Sequence, residues 1–327
     1  MSFTSAIKSE LCRLELGRDC CSRAELAALI VTNGNLSLSA RGGLALNIVT
    51  DHACIARRLY KLLKEEFGIS PVLLARKKTR LRKNISYLLK VTDPQQVQRL
   101  MGQLGIIDPD NRMRSGDSSN YLDRQCCRRA YLRGCFLAGG SVSNPESSGY
   151  HLEIATELPF HAENIRKLLA RLGVRGGIVS RKRQQVVYVK DSEQIALLLS
   201  TIGSNQGRLI FENARIYKDL RNQVNRIVNC ETANVSKTVD AAQRQVAAIR
   251  SLAASRGLES LSPGLRQMAR LRLEHPAATL EELGLLANPP LSKSAVNYRL
   301  RRLQQLAGQT GSSSKAESSI QECEERE

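Results

Sequence analysis

The sequence predicts an α+β domain of two tandem αββαββα units about a pseudo-twofold axis, followed by an all-α domain with a helix-turn-helix. Three observations carry this. The first 205 residues overlie themselves when shifted by 106 positions. Within each copy, apolar residues alternate every second position and then recur at helical spacing. Beyond about Ser204 the strand signals stop and helical periodicity takes over.

The repeat decides the fold before any single element does. "CCSRAELAALIVTNGNLSL" from Cys20 lies over "CCRRAYLRGCFLAGGSVSN" from Cys126. At the same offset "ALNIVTD" (45–51) lies over "HLEIATE" (151–157), and "KLL" (61–63) over "KLL" (167–169). Further on, unequal loops shift the match, and "VQRLMGQLGI" (97–106) lies over "IALLLSTIGS" (195–204). Each copy therefore opens with a helix. A strand pair follows, with Leu44, Leu46 and Ile48 or Leu152 and Ile154 facing inward. The next helix carries an apolar stripe, Leu59, Leu62, Leu63 and Phe67 or Ile165, Leu168, Leu169 and Leu172. A second hairpin and a closing helix complete each unit. Asp51 reads as the cap of the helix after it, and Glu157 as a strand-end residue. The polar, turn-rich "DPDNRMRSGDSSN" (108–120) links copies expected at about 20–106 and 126–204, within a domain of 1–205.

The segment "AYLRGCFLAGGSVS" (130–143) ends its helix in Gly139-Gly140, residues usual at a helix terminus. Together with its counterpart it resembles the LAGLIDADG homing endonucleases in their single-chain, two-copy form. The resemblance is architectural over roughly residues 20–205 and motif-level only in Leu26–Gly34 and Leu132–Gly140. It implies that the last acid of each motif would point into the interface between the two helices and bind Mg²⁺ for DNA cleavage. That position is Asn33 in one copy and Gly139 in the other. Hard divalent cations in phosphoryl chemistry want carboxylates, and neither residue supplies one. The expectation is a degenerate site with no catalytic residues, no metal and no cofactor.

Charge points to a polyanionic partner. Lys and Arg number 49 against 31 Asp and Glu, a formal charge of +18. Five of the acids fall in the Ser-rich tail, 308–327, which is expected to be disordered. Such a field draws nucleic acid by steering and counterion release. Its densest run is "RKKTRLRK", with Arg76, Lys77, Lys78, Arg80, Arg82 and Lys83 at the tip of the second hairpin of copy one. Arg181, Lys182 and Arg183 occupy the equivalent tip of copy two. Two symmetry-related basic tips would straddle a duplex and contact its backbone. The outward residues Ser37, Ser39, Ala45 and Asn47 are small and uncharged, poor at reading bases. No apolar run is long enough to span a bilayer and no signal peptide opens the chain, so a cytoplasmic, nucleoid-associated protein is expected. Nine cysteines show no C-x-x-C pair and no histidine at zinc spacing. Cys20-Cys21 and Cys126-Cys127 read as reduced, semi-buried small apolar residues.

The C-terminal third is helical. "RLIFENARIYKDLRNQVNRIVN" (208–229) and the stretch to Gly257 form an expected helical linker, 206–257. Ser262-Pro263 then marks a helix start. In "ATLEELGLLANPPLSKSAVNYRLRRLQQL" (278–306), Thr279 and Glu282 form a capping box. Asn288-Pro289-Pro290 breaks that helix, and Ser292 caps the next. Val296, Leu300 and Leu303 form the buried stripe of the second helix. Lys293, Ser294, Asn297, Tyr298, Arg301 and Arg302 lie on its other faces, as a recognition helix requires. The DNA-binding domain is expected at 258–307.

"YLRGCFLAGGSVSNPESSGYHLEI", "NCETANVSKTVDAAQRQVAAI" and "LSKSAVNYRLRRL" closely resemble the WhiA family of bacterial sporulation and cell-division regulators. The resemblance runs from Phe3 to about Leu306. It implies a degenerate LAGLIDADG domain joined to a helix-turn-helix, and a non-enzymatic transcriptional regulator acting in cell division, chromosome segregation and sporulation. The implied partner is double-stranded DNA, with the transcription machinery or a partner regulator beside it. The chain would act as a monomer that is its own pseudo-dimer, away from membranes. The competing readings are an RNA- or nucleoid-binding protein without promoter specificity, and a residual nuclease.

Overall fold

A computed structural model describes residues 2–39, 43–77, 85–108, 110, 112, 122–182 and 184–324, the side chains of 38, 39 and 310–324 aside. The chain divides into two compact units, Met1–Asp219 and Leu220–Glu327. The division falls inside the stretch read as a linker.

In the first unit, the expected order of elements occurs twice. Copy one comprises α2 (Asp19–Asn33), β1 (Gly34–Ser39), β2 (Gly43–Thr50), α3 (Ala53–Phe67), β3 (Val72–Lys77), β4 (Ile85–Val91) and α4 (Pro94–Gln103). Copy two comprises α5 (Gln125–Gly139), β5 (Gly140–Val142), β6 (Leu152–Thr156), α6 (Pro159–Arg171), β7 (Gly177–Arg181), β8 (Gln184–Val189) and α7 (Ser192–Ile202). Each copy forms an antiparallel four-stranded sheet, ordered β1-β2-β4-β3 and β5-β6-β8-β7. Local chemistry repeats with the topology. Asp93 and Asp191 cap the closing helices by accepting from Gln95 N and Gln194 N, each at 2.9 Å. A further helix precedes copy one, α1 (Phe3–Arg13), which no sequence expectation included. It buries Ile7 and Leu11 in the common core.

The two copies join through α2 and α5, which lie side by side with both N-termini at one end. Their contact is close because the chain is small there. A Cβ on Gly134 would lie 2.5 Å from Glu25 O and 2.8 Å from the Cβ of Ala28, its own repeat equivalent. One buried carboxylate ties the copies electrostatically. Glu25 of α2 accepts from Arg58 Nε and Nη2 within copy one and from Arg133 Nε of α5 at 2.8 Å. At the N-terminal end the two cysteine pairs meet. Cys21 and Cys127 are buried and Cys20 half-buried, whereas Cys126 is exposed rather than semi-buried.

Two local expectations are corrected, and a third acquires a different cause. Helix α5 ends at Gly139-Gly140 as expected, but Gly140 caps it with φ −78°, and both glycines are there for lack of space. A Cβ on Gly140 would overlap Phe136, and one on Gly139 the Ala155 carbonyl oxygen. Asp51 does not cap α3; His52 does, and Thr50 Oγ1 accepts from His52 N at 3.3 Å. Ala45 is not outward-facing surface but fully buried. Its neighbour Leu46 pairs with Val91 at the end of β4, and a Cβ on Gly43 would overlap Pro94, so the chain entering α4 covers this end of β2.

Helix α8 (Asn205–Ser255) is continuous through both segments read separately in the sequence. Its first part belongs to the first unit, where Phe211 is buried edge-on to Tyr150. In the second unit its end packs with α9 (Pro263–Glu274), α10 (Leu280–Leu286) and α11 (Lys293–Glu324). Ile249 and Leu252 of α8, Met268 and Ala269 of α9, Leu283 of α10 and Val296, Leu300 and Leu303 of α11 form one small core. The described backbone of α11 is helical through most of the stretch expected to be a disordered tail. Its Gln, Lys, Ala and Glu residues have favourable helix propensity.

Candidate nucleic-acid interface

Asn33 and Gly139 end α2 and α5, at the end of the helix pair away from the cysteines. Asn33 Nδ2 donates to Ala138 O at 3.4 Å, across the copies. Gly139 leaves no room for any side chain, because its missing Cβ would overlap the backbone of β6. The pair therefore offers one amide, already engaged, and a backbone carbonyl. Glu157 follows β6 directly and is exposed, and Asp51 follows β2 at the equivalent place. Among the described residues, neither acid belongs to a group of three or more metal-ligating side chains.

The basic tips lie where the repeat puts them, at corresponding hairpins. Arg76 and Lys77 close β3 and are exposed. Lys78, Arg80, Arg82 and Lys83 lie outside the described residues, as does Arg183 of the other tip. Lys182 turns that hairpin with φ +54°. Arg181 is already paired: its Nη1 donates to Glu153 Oε2 at 3.3 Å while its side chain stays 58% exposed. Such an exposed pair is worth little and yields to a phosphate. Glu153 is the repeat equivalent of Asn47, and both point to the outward face. In copy one Asn47 Nδ2 donates to Ser37 Oγ at 2.7 Å. The outward face is less polar than its first strands imply. Val49, Val72 and Leu74 share it with Arg76 by register, and all three are about half exposed. Ser39 has no described side chain.

The helix-turn-helix forms as its caps dictate. Thr279 Oγ1 accepts from Glu282 N at 3.3 Å, while Glu282 Oε2 accepts from Thr279 N at 2.7 Å. The backbone bond from Thr279 N to the carboxylate holds the Glu282 carboxyl below its ordinary pKa. Ser292 Oγ accepts from Ala295 N at 3.3 Å to start α11. Between the helices, Leu291 N donates to Gly284 O at 2.9 Å, and a Cβ on Gly284 would overlap the Leu291 carbonyl. Only glycine lets the turn close that tightly. Val296, Leu300 and Leu303 are fully buried, so the opposite face of α11 is free. Lys293, Ser294, Tyr298, Arg301 and Arg302 are exposed and Asn297 is half-buried. Lys293 Nζ lies 3.0 Å from Glu281 Oε1, both exposed.

Two contributions were absent from the sequence reading. Buried Arg272 donates through Nη1 to Ala278 O at 2.6 Å, fixing the loop that enters α10. Lys237, Thr238 and Gln245 of α8 line a groove with Thr279, Lys293 and Asn297. The apolar spacing of Ile249 and Leu252 was the available signal that this part of α8 belongs with the helix-turn-helix.

Comparison with known proteins matches three successive family models. They are the WhiA N-terminal LAGLIDADG-like domain over residues 19–107, the WhiA LAGLIDADG-like domain over 128–221 and the WhiA C-terminal HTH domain over 224–307. A protein of Desulfitobacterium hafniense named "Probable cell division protein WhiA" is 47% identical over 94% of this chain and 96% of its own. One of the same name from Desulforudis audaxviator is 48% identical over 94% and 97%. The crystal structure of full-length DUF199/WhiA from Thermatoga maritima is similar with TM-score 0.58 and 25% identity, covering 94% of this chain and 99% of that one.

Proposed function

The chain belongs to the WhiA family, and from that premise we propose that it is a non-enzymatic DNA-binding regulator of transcription. The observation that carries this reading is the start of α11. Ser294 and Tyr298 are exposed on the face of a capped helix away from its core, and Lys293 and half-buried Asn297 flank them beside α8. Polar side chains at the N-terminus of such a helix suit base edges in a major groove, and Arg301 and Arg302 suit flanking phosphates. The domain plan is a degenerate LAGLIDADG-like domain over 1–205, a helical segment over 206–257 and a DNA-binding domain over 258–307. Arg76, Lys77, Lys78, Arg80, Arg82, Lys83, Arg181, Lys182 and Arg183 supply backbone contacts. The name of the relatives supports a role in cell division, and the family resemblance extends the reading to chromosome segregation and sporulation. No helix among the described residues is long and apolar enough to cross a membrane, which agrees with action at the nucleoid.

Genome-wide mapping of bound sites, followed by titration of a recovered site against scrambled duplex and RNA at stated salt, tests the reading. Preference for the recovered duplex is expected. Equal affinity for all three would favour a nucleoid- or RNA-binding protein. Mg²⁺-dependent nicking by the purified chain would favour a residual nuclease.

A further inference from the structure

The repeat that brings α2 and α5 together also brings together four thiols. Cys20 and Cys21 lie in the first turn of α2, and Cys126 and Cys127 in the first turn of α5. All four sulfur atoms lie within 4.8 Å of one another, with Cys126 Sγ and Cys127 Sγ 3.8 Å apart. A tetrahedral ion with metal–sulfur bonds of about 2.3 Å needs sulfur separations of about 3.8 Å. Rotamer adjustment of about 1 Å reaches that geometry, which is on the order of the flexibility of a thiol-bearing first turn. An iron–sulfur cluster interposes several iron and sulfide atoms and spreads its cysteines wider, so the spacing suits one ion.

We propose that Cys20, Cys21, Cys126 and Cys127 form a tetrathiolate site for one Zn²⁺ ion that clamps the two copies at the N-terminal end of their central helices. The donor set is soft and four-fold, the combination that selects zinc. Each copy supplies the same two positions, so the site is complete only when the copies pair. The surroundings suit bound thiolates. Two helix N-termini converge there, each with the equivalent of roughly half a positive charge. The N-cap residues are Arg18 and Arg124. Buried Cys21 and Cys127 form the dry side, and exposed Cys126 gives the ion a path in. Mere filling of space does not call for four thiols, one of them in solvent.

The test uses the full chain, purified reduced and given Zn²⁺ or Co²⁺. We expect about one ion per chain by elemental analysis. Bound Co²⁺ should show thiolate charge transfer in the near ultraviolet and intense tetrahedral d–d bands. Cys20→Ser and Cys126→Ser alter the less buried ligands and keep the fold, checked by circular dichroism. Each should lose the Co²⁺ spectrum and bind Zn²⁺ more weakly by at least the roughly 10- to 100-fold that an outer-shell partner costs. Cys230→Ser, an exposed thiol on α8, should change nothing. Zn²⁺ should also raise the unfolding temperature of the parent chain and not that of the two ligand variants. Failure of the reduced parent to take up stoichiometric metal, or an unchanged Co²⁺ spectrum in both ligand variants, overturns the proposal.

Discussion

Replacing Gly139 by alanine tests whether the old metal position is closed by packing. An alanine Cβ there would overlap the Ala155 carbonyl oxygen and lie 3.2 and 3.3 Å from the carbonyl carbon and nitrogen of the same residue. All are backbone atoms of β6, an interior strand of its sheet. Relief requires α5 to move off the sheet, and such overpacking costs ~1–3 kcal/mol. A unit of this size, Met1–Asp219, shifts its melting temperature by roughly 2–4 °C per kcal/mol, so a fall of roughly 2–12 °C is expected. Helix propensity opposes this by at most about 1 kcal/mol, and by less at the last residue of α5. Gly102→Ala isolates that opposing effect. Gly102 is exposed in α4, with nothing within 4 Å of an added Cβ, so its variant should melt unchanged or slightly higher. Differential scanning calorimetry of both full-length variants decides the matter. Equal shifts would refute the steric reasoning, whatever their size. Gly139→Asp should melt lower still and remain inert toward plasmid DNA with Mg²⁺, because its carboxylate has no path into the helix interface.

Three further outcomes follow from the geometry. Asn297→Ala or Lys293→Ala should weaken the preferred duplex by ~1–3 kcal/mol more than scrambled duplex, and equal losses on both would remove α11 from the reading role. Neutralising Arg76 and Lys77, or Arg181 and Lys182, should weaken all duplexes alike and reduce the slope of log K against log salt by about 0.9 per lost phosphate contact. A changed sequence preference would instead make the sheet face the reader. His161 is buried, with Nδ1 3.1 Å from Thr156 Oγ1, and burial pushes its imidazole down to about 4. The unfolded chain titrates near 6.5, so stability is full above that pH and falls as the pH drops from about 6.5 toward 4. At pH 5 the loss is about 2 kcal/mol. Urea unfolding at pH 7.5 and pH 5 measures it, and His161→Gln should remove this part of the difference; an unaltered pH dependence would assign it to other groups.

What the sequence made legible was whatever the duplication or a local cap determines. Two copies of αββαββα, the Thr279 and Ser292 caps, and the stripe Val296, Leu300 and Leu303 all depend on residues near one another in the chain. They are where periodicity and capping rules place them. Ala45 was misplaced because alternation along a strand is blind to a chain segment crossing over it. Glycines 139 and 140 were read by the local habit of glycine at helix ends, whereas the deciding neighbours were Ala155, 16 residues on by sequence number, and Phe136 on its own helix. Arg181 carried its charge as expected, but its partner Glu153 lies 28 residues away in the chain and shares only a sheet face with it.

The cysteines show how far that limit extends, because zinc spacing is normally sought along a single stretch of chain. A motif search tests ligands that a local turn can gather, as in C-x-x-C. Here the gathering is done by a repeat. The same offset that lays Ala28 over Gly134 also lays Cys20-Cys21 over Cys126-Cys127, and Ala28 and Gly134 touch. Residues that face their own equivalents across a pseudo-twofold axis must meet in pairs, so a doublet on one helix implies a quartet at the interface. The repeat and the parallel packing of its first helices bring the two doublets to one end of the helix pair. Metal-ligand spacing in a duplicated chain is therefore a property of the superposed copies, and each doublet taken alone reads as two small apolar residues.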